Sequence, residues 1–292
     1  NTAKNLSIPK NAPKVVRDIL EVKETVDAGH FDEAYTYLSA AAKADQENGP
    51  VWMGLAQVAE ARGDKRQALE LVRQALSKDW PPEAEPRRRS AQLEYAALLA
   101  ESGRGSEAVS LLQSVIVQRG DDPTAAKQAA GMIQAIGSPA QAEEAWAALT
   151  RQFPADASAW LGLGDVRLAA GRDAAARDAY LRAAKLDPGN ADAQSALARV
   201  GEILRLDPAR RGLSASERAR RWDAVLQRVV AAATACGGSP ELEKARRLLI
   251  RRASSLALAD QKMEATLALW KTTGASCKTD HVLTHILSRL EE

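Results

Sequence analysis

A period of 34 residues constrains this chain more than any other feature. Its clearest unit runs from Ala157 to Asn190, where Trp160 is followed by Leu163-Gly164, then Gly171, Ala176, Tyr180, Ala183 and Asp187-Pro188. One period earlier, Gly137, Ala142, Trp146, Leu149 and Pro154 hold the corresponding places, and one more gives Gly103, Ala108, Leu112 and Val115. A six-residue insertion around Trp80-Pro81-Pro82 breaks the phase once. Beyond it, Trp52, Leu55, Ala56, Gly63, Ala68, Val72 and Ala75 fall in frame, and a first copy supplies Gly29, Ala34, Leu38 and Ala41.

Within each unit, apolar residues recur at helical intervals on both sides of a Gly-centred break, the pattern of two antiparallel helices joined by a tight turn. Gly29, Gly63, Gly103, Gly137 and Gly171 stand where the first helix must end, a position that often requires positive φ. Small residues at Gly164 and Ala176 let the paired helices approach, while Trp160 and Tyr180 fill the neighbouring gaps. Ser138-Pro139-Ala140-Gln141 has the S-x-x-Q pattern of a capping box. Composition agrees. About one residue in five is alanine and only 4% are aromatic, which argues against a sandwich or barrel. Hydrophobic residues make up 46%, enough to bury a core, and no run of them is long enough for a membrane span.

The units resemble tetratricopeptide repeats. The pattern W-x2-L-G-x2-Y, then A-x3-F, then P is matched closely by 157–190 and more loosely by 15–48, 49–88, 89–122 and 123–156. Departures are Arg167 in place of an aromatic, and Asp18 and Gln92 in place of Trp. The resemblance implies an all-α chain, a right-handed superhelix of helix pairs whose first helices line a concave face. Residues 1–14 read as an N-terminal extension, 15–190 as five repeats, and 191–292 as degenerate repeats with a C-terminal helical cap.

In that last third, Ala191 to Leu206 reads as the first helix of a sixth unit. Ser214-Ala215-Ser216-Glu217 is a second capping-box pattern, opening a helix with Trp222, Val225, Leu226, Val229 and Val230 on one stripe. Gly237-Gly238 stops it, and Pro240 starts another helix in a degenerate pair reaching about Thr273. A final helix over about 279–290 shows Val282, Leu283, Ile286, Leu287 and Leu290 on one face, as expected of a cap that ends a solenoid.

Sequence motifs for catalysis are thin. No P-loop, dinucleotide or nucleophile-elbow motif appears, and the chain has three His and two Cys, so no enzyme and no cofactor are expected. Cys277, His281 and His285 are spaced four apart, but no fourth ligand falls at helical spacing and no metal site is expected. Cys236 and Cys277 lie at element ends, where a disulfide closing 42 residues would stabilise by about 4 kcal/mol and mark an oxidising compartment. The alternative is two unrelated buried thiols. Net charge is +2, but Arg205 to Arg252 carries a local +7. With no stacking aromatic interleaved except Trp222, whose spacing assigns it to the core, this segment reads as a solvated surface, and nucleic acid is not an expected partner.

By the resemblance, the groove positions are Met53, Gln57, Glu60, Leu93, Ala97, Ala100, Lys127, Gln134, Leu161, Asp165 and Leu168. Met53, Leu93, Leu161 and Leu168 are expected as a row of exposed apolar side chains, with the polar neighbours fixing a bound peptide's direction. Relatives that clamp a chaperone's C-terminal carboxylate need Lys and Asn side chains where this chain has Lys127 alone, with Ala97 and Gly131 at the Asn places. The expectation is therefore a monomeric, non-enzymatic scaffold binding a peptide or protein, in a bacterial periplasmic or membrane-tethered system. The 13 Lys against 27 Arg, with abundant Ala, fit a GC-rich bacterial genome. Because the first residue is Asn1, the chain is expected to be trimmed, with any signal peptide, membrane anchor or further domain upstream. The alternatives are a cytoplasmic location, an adaptor domain of a larger enzyme or polysaccharide-export protein, and, further off, a metal-dependent enzyme.

Overall fold

The computed structural model describes residues 31–118, 123–235, 237, 240–251, 256–274 and 277–290. Among them are fourteen α-helices and no strand: α1 (Phe31–Ala44), α2 (Gly49–Ala61), α3 (Lys65–Leu76), α4 (Glu85–Glu101), α5 (Gly105–Val117), α6 (Thr124–Ile136), α7 (Pro139–Gln152), α8 (Ala157–Ala169), α9 (Asp173–Leu186), α10 (Ala191–Leu206), α11 (Ala215–Thr234), α12 (Pro240–Ile250), α13 (Leu256–Thr272) and α14 (His281–Ser288). They form two compact units, the first ending at Phe153 and the second beginning at Pro154, so this division falls inside the run of repeats and not at residue 190. None of these helices is long and apolar enough to cross a membrane.

Local chemistry sets the helix ends. Asn48, Asp64, Asp156 and Asn190 each accept from a backbone N–H of the first turn, at 3.3, 3.0, 2.9 and 2.9 Å, satisfying donors that the helix itself cannot. Ser138 and Gln141 form the full capping box, each side chain bonded to the other's backbone N–H. At Ser214 only half of it forms. Ser214 Oγ accepts from Glu217 N at 3.2 Å, while the Glu217 carboxylate is taken by Arg220 and Arg221.

The first helix doubles back through a left-handed glycine at Gly63, Gly103 and Gly171, with φ of 80°, 76° and 68°. Gly137 departs from this expectation: its φ is −89° and ψ 179°, extended backbone that passes straight into the Ser138 cap. Gly29 lies outside the described residues.

In the first unit, α1, α2 and α3 bury Ala34, Leu38, Leu55, Ala56, Val58, Ala68 and Val72 in one cluster. Where Gln92 replaces the usual Trp, the core holds a polar group. It is 8% exposed, and its Oε1 finds no hydrogen-bond partner among the described residues. In the second unit, α8 and α9 pack most closely at Gly164, which faces the fully buried Tyr180 ring. The apolar stripe expected on α11 is buried throughout.

The C-terminal third does not simply extend the stack. α10 packs on α9 as the first helix of a further pair, but the main neighbour of α11 is α13. The final helix is shorter than expected. α14 packs on α10 and α11, with Val282, Leu283, Ile286 and Leu287 between 0% and 6% exposed. Its apolar stripe was visible in the sequence. Its destination depends on charged partners more than 80 residues earlier, which helical periodicity does not encode.

Candidate functional site

The first-helix face of the first unit is built from α2, α4 and α6. Among the described residues, the principal elements packed on α4 are its sequence neighbours α2, α3, α5 and α6, with the short turn at Pro82–Ala84. Glu60 and Gln134 are exposed, while Gln57, Leu93, Ala97, Ala100 and Lys127 are half-buried. Gln134 Oε1 accepts from Trp146 Nε1 at 2.9 Å, so the indole of α7 fixes that amide's orientation.

Met53 does not join them. It is 4% exposed, in the cluster shared by α1 to α3, because α2 is covered by its neighbours on both sides. The expected row of exposed apolar side chains therefore does not exist. Leu161 is packed against Tyr180, Val200 and Ala193, and Leu168 against Tyr180's cluster and that of the C-terminal helix. Leu161→Asp is therefore expected to unsettle packing. The largest fully solvated apolar side chains lie elsewhere, singly, at Val117 and Ile250.

A group the repeat pattern did not single out dominates the electrostatics of the first unit's face. Glu94 of α4 is half-buried near the exposed Glu60 of α2. Burial first, then the charge and hydrogen bond of Glu60, push its carboxyl up to about 8. At neutral pH Glu94 holds its proton. Because the folded value is raised, this group's contribution to stability is complete below its ordinary value of 4.5 and is lost as pH rises through about 8. Melting temperature should accordingly fall between pH 5 and 9, and Glu94→Gln should flatten that profile, raising it by a few degrees at pH 9. An unchanged profile in the variant would show that Glu94 is ordinarily ionised.

In the second unit, Asp165 accepts from the Tyr180 hydroxyl at 2.8 Å. Desolvation pushes its carboxyl above the ordinary value, outweighing the Tyr180 hydrogen bond and the Arg199 charge that favour ionisation. This unit's first-helix face is occupied at one edge by α14. His285 Nε2 lies 2.8 Å from Asp173 Oδ1, and Arg289 reaches Asp173 Oδ2 at 2.9 Å, Asp207 Oδ2 at 2.8 Å and the Gly171 carbonyl at 3.3 Å. Burial pushes Asp173 up, but the hydrogen bonds and charges of His285 and Arg289 more than reverse it and hold the carboxyl below its ordinary range. At the other end of α14, Arg228 bridges Asp280 and Glu202, each at 2.5 Å. His285 is thus committed to a carboxylate, while His281 is exposed. Cys277 is disulfide-bonded, and Cys236 lies outside the described residues.

The arginine-rich segment is largely spent internally. Arg221 donates to the carbonyls of Leu204 and Asp207 at 2.9 and 3.0 Å, and Arg246 binds Glu243 and Thr234. This arrangement of paired helices, left-handed glycine turns and an open first-helix face is accompanied by direct sequence matches. Models of the tetratricopeptide repeat match residues 26–85, inside the first unit, and 134–191, which run across the division at Phe153–Pro154. These segments are tetratricopeptide repeats. Among solved structures, the C-terminal part of a TPR repeat-containing protein from Cytophaga hutchinsonii aligns at a TM-score of 0.50 and 14% identity, over 90% of this chain and 96% of that one, which shows the fold. YrrB, described as a TPR protein with an unusual peptide-binding site, gives 0.41 and 18% identity, covering 63% of this chain and 98% of its own. Pseudomonas aeruginosa pilF gives 0.41 and 20%, covering 67% and 93%. The comparison with curated proteins finds no match.

Proposed function

We propose that this TPR protein is a non-enzymatic interaction scaffold that takes a peptide segment of a partner protein on the first-helix face of its first unit, as a monomer in a bacterial extracytoplasmic compartment. The observation that carries the reading is the contrast between faces. That of the second unit is partly covered by α14, whereas the principal helices packed on α4 among the described residues are its sequence neighbours α2, α3, α5 and α6. Half-buried Leu93, Ala97 and Ala100 supply contact surface, and Gln57, Glu60 and Gln134 supply hydrogen-bonding groups. The disulfide at Cys277 supports an oxidising compartment.

The test is a photo-crosslinking residue at Ala97, and for comparison at the exposed Arg247 of the basic segment, in living cells of the source organism. Ala97 should capture one extracytoplasmic protein and Arg247 should not. Leu93→Asp should then weaken binding of the captured protein at least tenfold with its unfolding midpoint little changed. Capture only from Arg247 overturns the binding face, and a cytoplasmic partner overturns the location.

A further inference from the structure

We propose that the part of the second unit beneath α14 is a receptor for an amphipathic helix, and that α14 is its resident occupant, displaceable by a partner helix of the same chemistry. The inference rests on the second unit alone and is independent of the binding face argued above.

Four observations lead to it. First, α14 is an eight-residue helix, too short to hold its shape in water by itself, so its structure comes from what it binds. Second, the α-helix of α13 ends at Thr272 and α14 begins only at His281, and α14 packs back on α10 and α11 and does not follow the stacking order. Third, its contacts divide as a helical ligand's do. Val282, Leu283, Ile286 and Leu287 enter a cluster with Ile203, Trp222, Val225 and Leu226, while charged groups fix both ends. Fourth, the receiving charges are buried. Asp173 is 6% and Asp207 7% exposed, and two of the side chains that satisfy them, His285 and Arg289, come from α14 or the residue after it. A surface that keeps two buried carboxylates for a histidine and an arginine delivered by a short tethered helix has the form of a recognition site.

The same contacts define the occupant. It is a helix with an acidic N-cap to meet Arg228, apolar side chains at one position and the first, fourth and fifth after it, a histidine at the third and an arginine at the seventh. In α14 these are Asp280, then Val282, Leu283, Ile286 and Leu287, then His285 and Arg289. A partner helix must compete with the high local concentration of the tethered one, so its affinity for the closed chain is reduced by the fraction of time the face is open.

The probe is a fluorescent peptide of residues 279–290, titrated into the full chain and into a full-chain Leu283→Glu/Ile286→Glu variant that expels its own helix but leaves the receiving face intact. The peptide should bind the variant at least tenfold more tightly than the unaltered chain. Replacing His285 and Arg289 of the peptide by Glu should weaken binding at least tenfold. Amide hydrogen exchange on the unaltered protein provides an independent reading, in which residues 283–288 should exchange well before those of α10 and α11, by local opening. No binding to the folded variant overturns the proposal. So does exchange of α14 only together with α10 and α11, which would make the helix an inseparable part of the core and would also explain a variant that fails to fold.

Discussion

Lys262→Ala is expected to destabilise the second unit by about 3–5 kcal/mol, a large effect for one surface-type side chain. Lys262 of α13 is 0% exposed, and its ammonium donates to the Asp223 carboxylate of α11 and to the Arg251 carbonyl at 2.6 Å. Two helices, α11 and α13, and the residue that follows α12 therefore meet on one charge. Truncation removes the stem's packing and leaves both acceptors unpaired, which breaks a buried pair from one side. Asp223 is 34% exposed, so water can reach its carboxylate and the loss should fall near the lower bound. Lys262→Met, which keeps the stem volume, should cost about half as much, and adding Asp223→Leu should restore most of the remainder. Urea unfolding read by tryptophan fluorescence measures all three. A cost below about 1 kcal/mol for the alanine variant would mean that the ammonium is solvated and the pair immaterial.

How much of this was legible follows from the range of the interactions. The helix pairs were readable because each pair is closed within one 34-residue period, by groups such as Ser138 and Tyr180 whose partners are close in sequence. Ala191–Leu206 and the buried stripe of α11 were readable for the same reason. Inner-face exposure was only partly readable. Position in the repeat says that a side chain points along the first helix, but whether a neighbouring helix covers it depends on packing, and so Met53 is core while Glu60 is solvated. The carboxyl pair of Glu60 and Glu94 escaped because the insertion near Trp80 puts the two at different repeat positions. The clamp on α14 was not readable at all. His285 looked like a member of a Cys/His spacing, Arg289 belonged to no motif, and their partner Asp173 stands more than 110 residues away. Nothing local distinguishes a carboxylate awaiting such a partner from one at an ordinary helix start.

Gly164→Ala is expected to lower stability by about 2–4 kcal/mol, although helix propensity alone predicts the opposite sign. In an exposed helix interior, alanine in place of glycine gains about 1 kcal/mol. Here a Cβ would meet the edge of the Tyr180 ring, with Cδ1 at 2.5 Å, so the ring or the helix must shift by roughly an ångström. The ring has nowhere to go. Tyr180 is fully buried, and its hydroxyl is held by Asp165 Oδ1 at 2.8 Å. Overpacking contributes about 1–3 kcal/mol and the lost hydrogen bond to a charged acceptor about 1.5–3, which together exceed the propensity gain. The melting temperature should fall by about 5–10 °C. A matched control is Gly49→Ala, whose Cβ would lie 2.7 Å from Trp80 Cδ1. Trp80 is only half-buried and can swing outward at the cost of its 2.9 Å bond to the Ala75 carbonyl, so the loss there should be smaller. The decisive comparison is Gly164→Ala in a Tyr180→Leu background. If the ring is the obstacle, the alanine becomes neutral or stabilising once it is gone, whereas an undiminished penalty would place the strain in the α8 backbone.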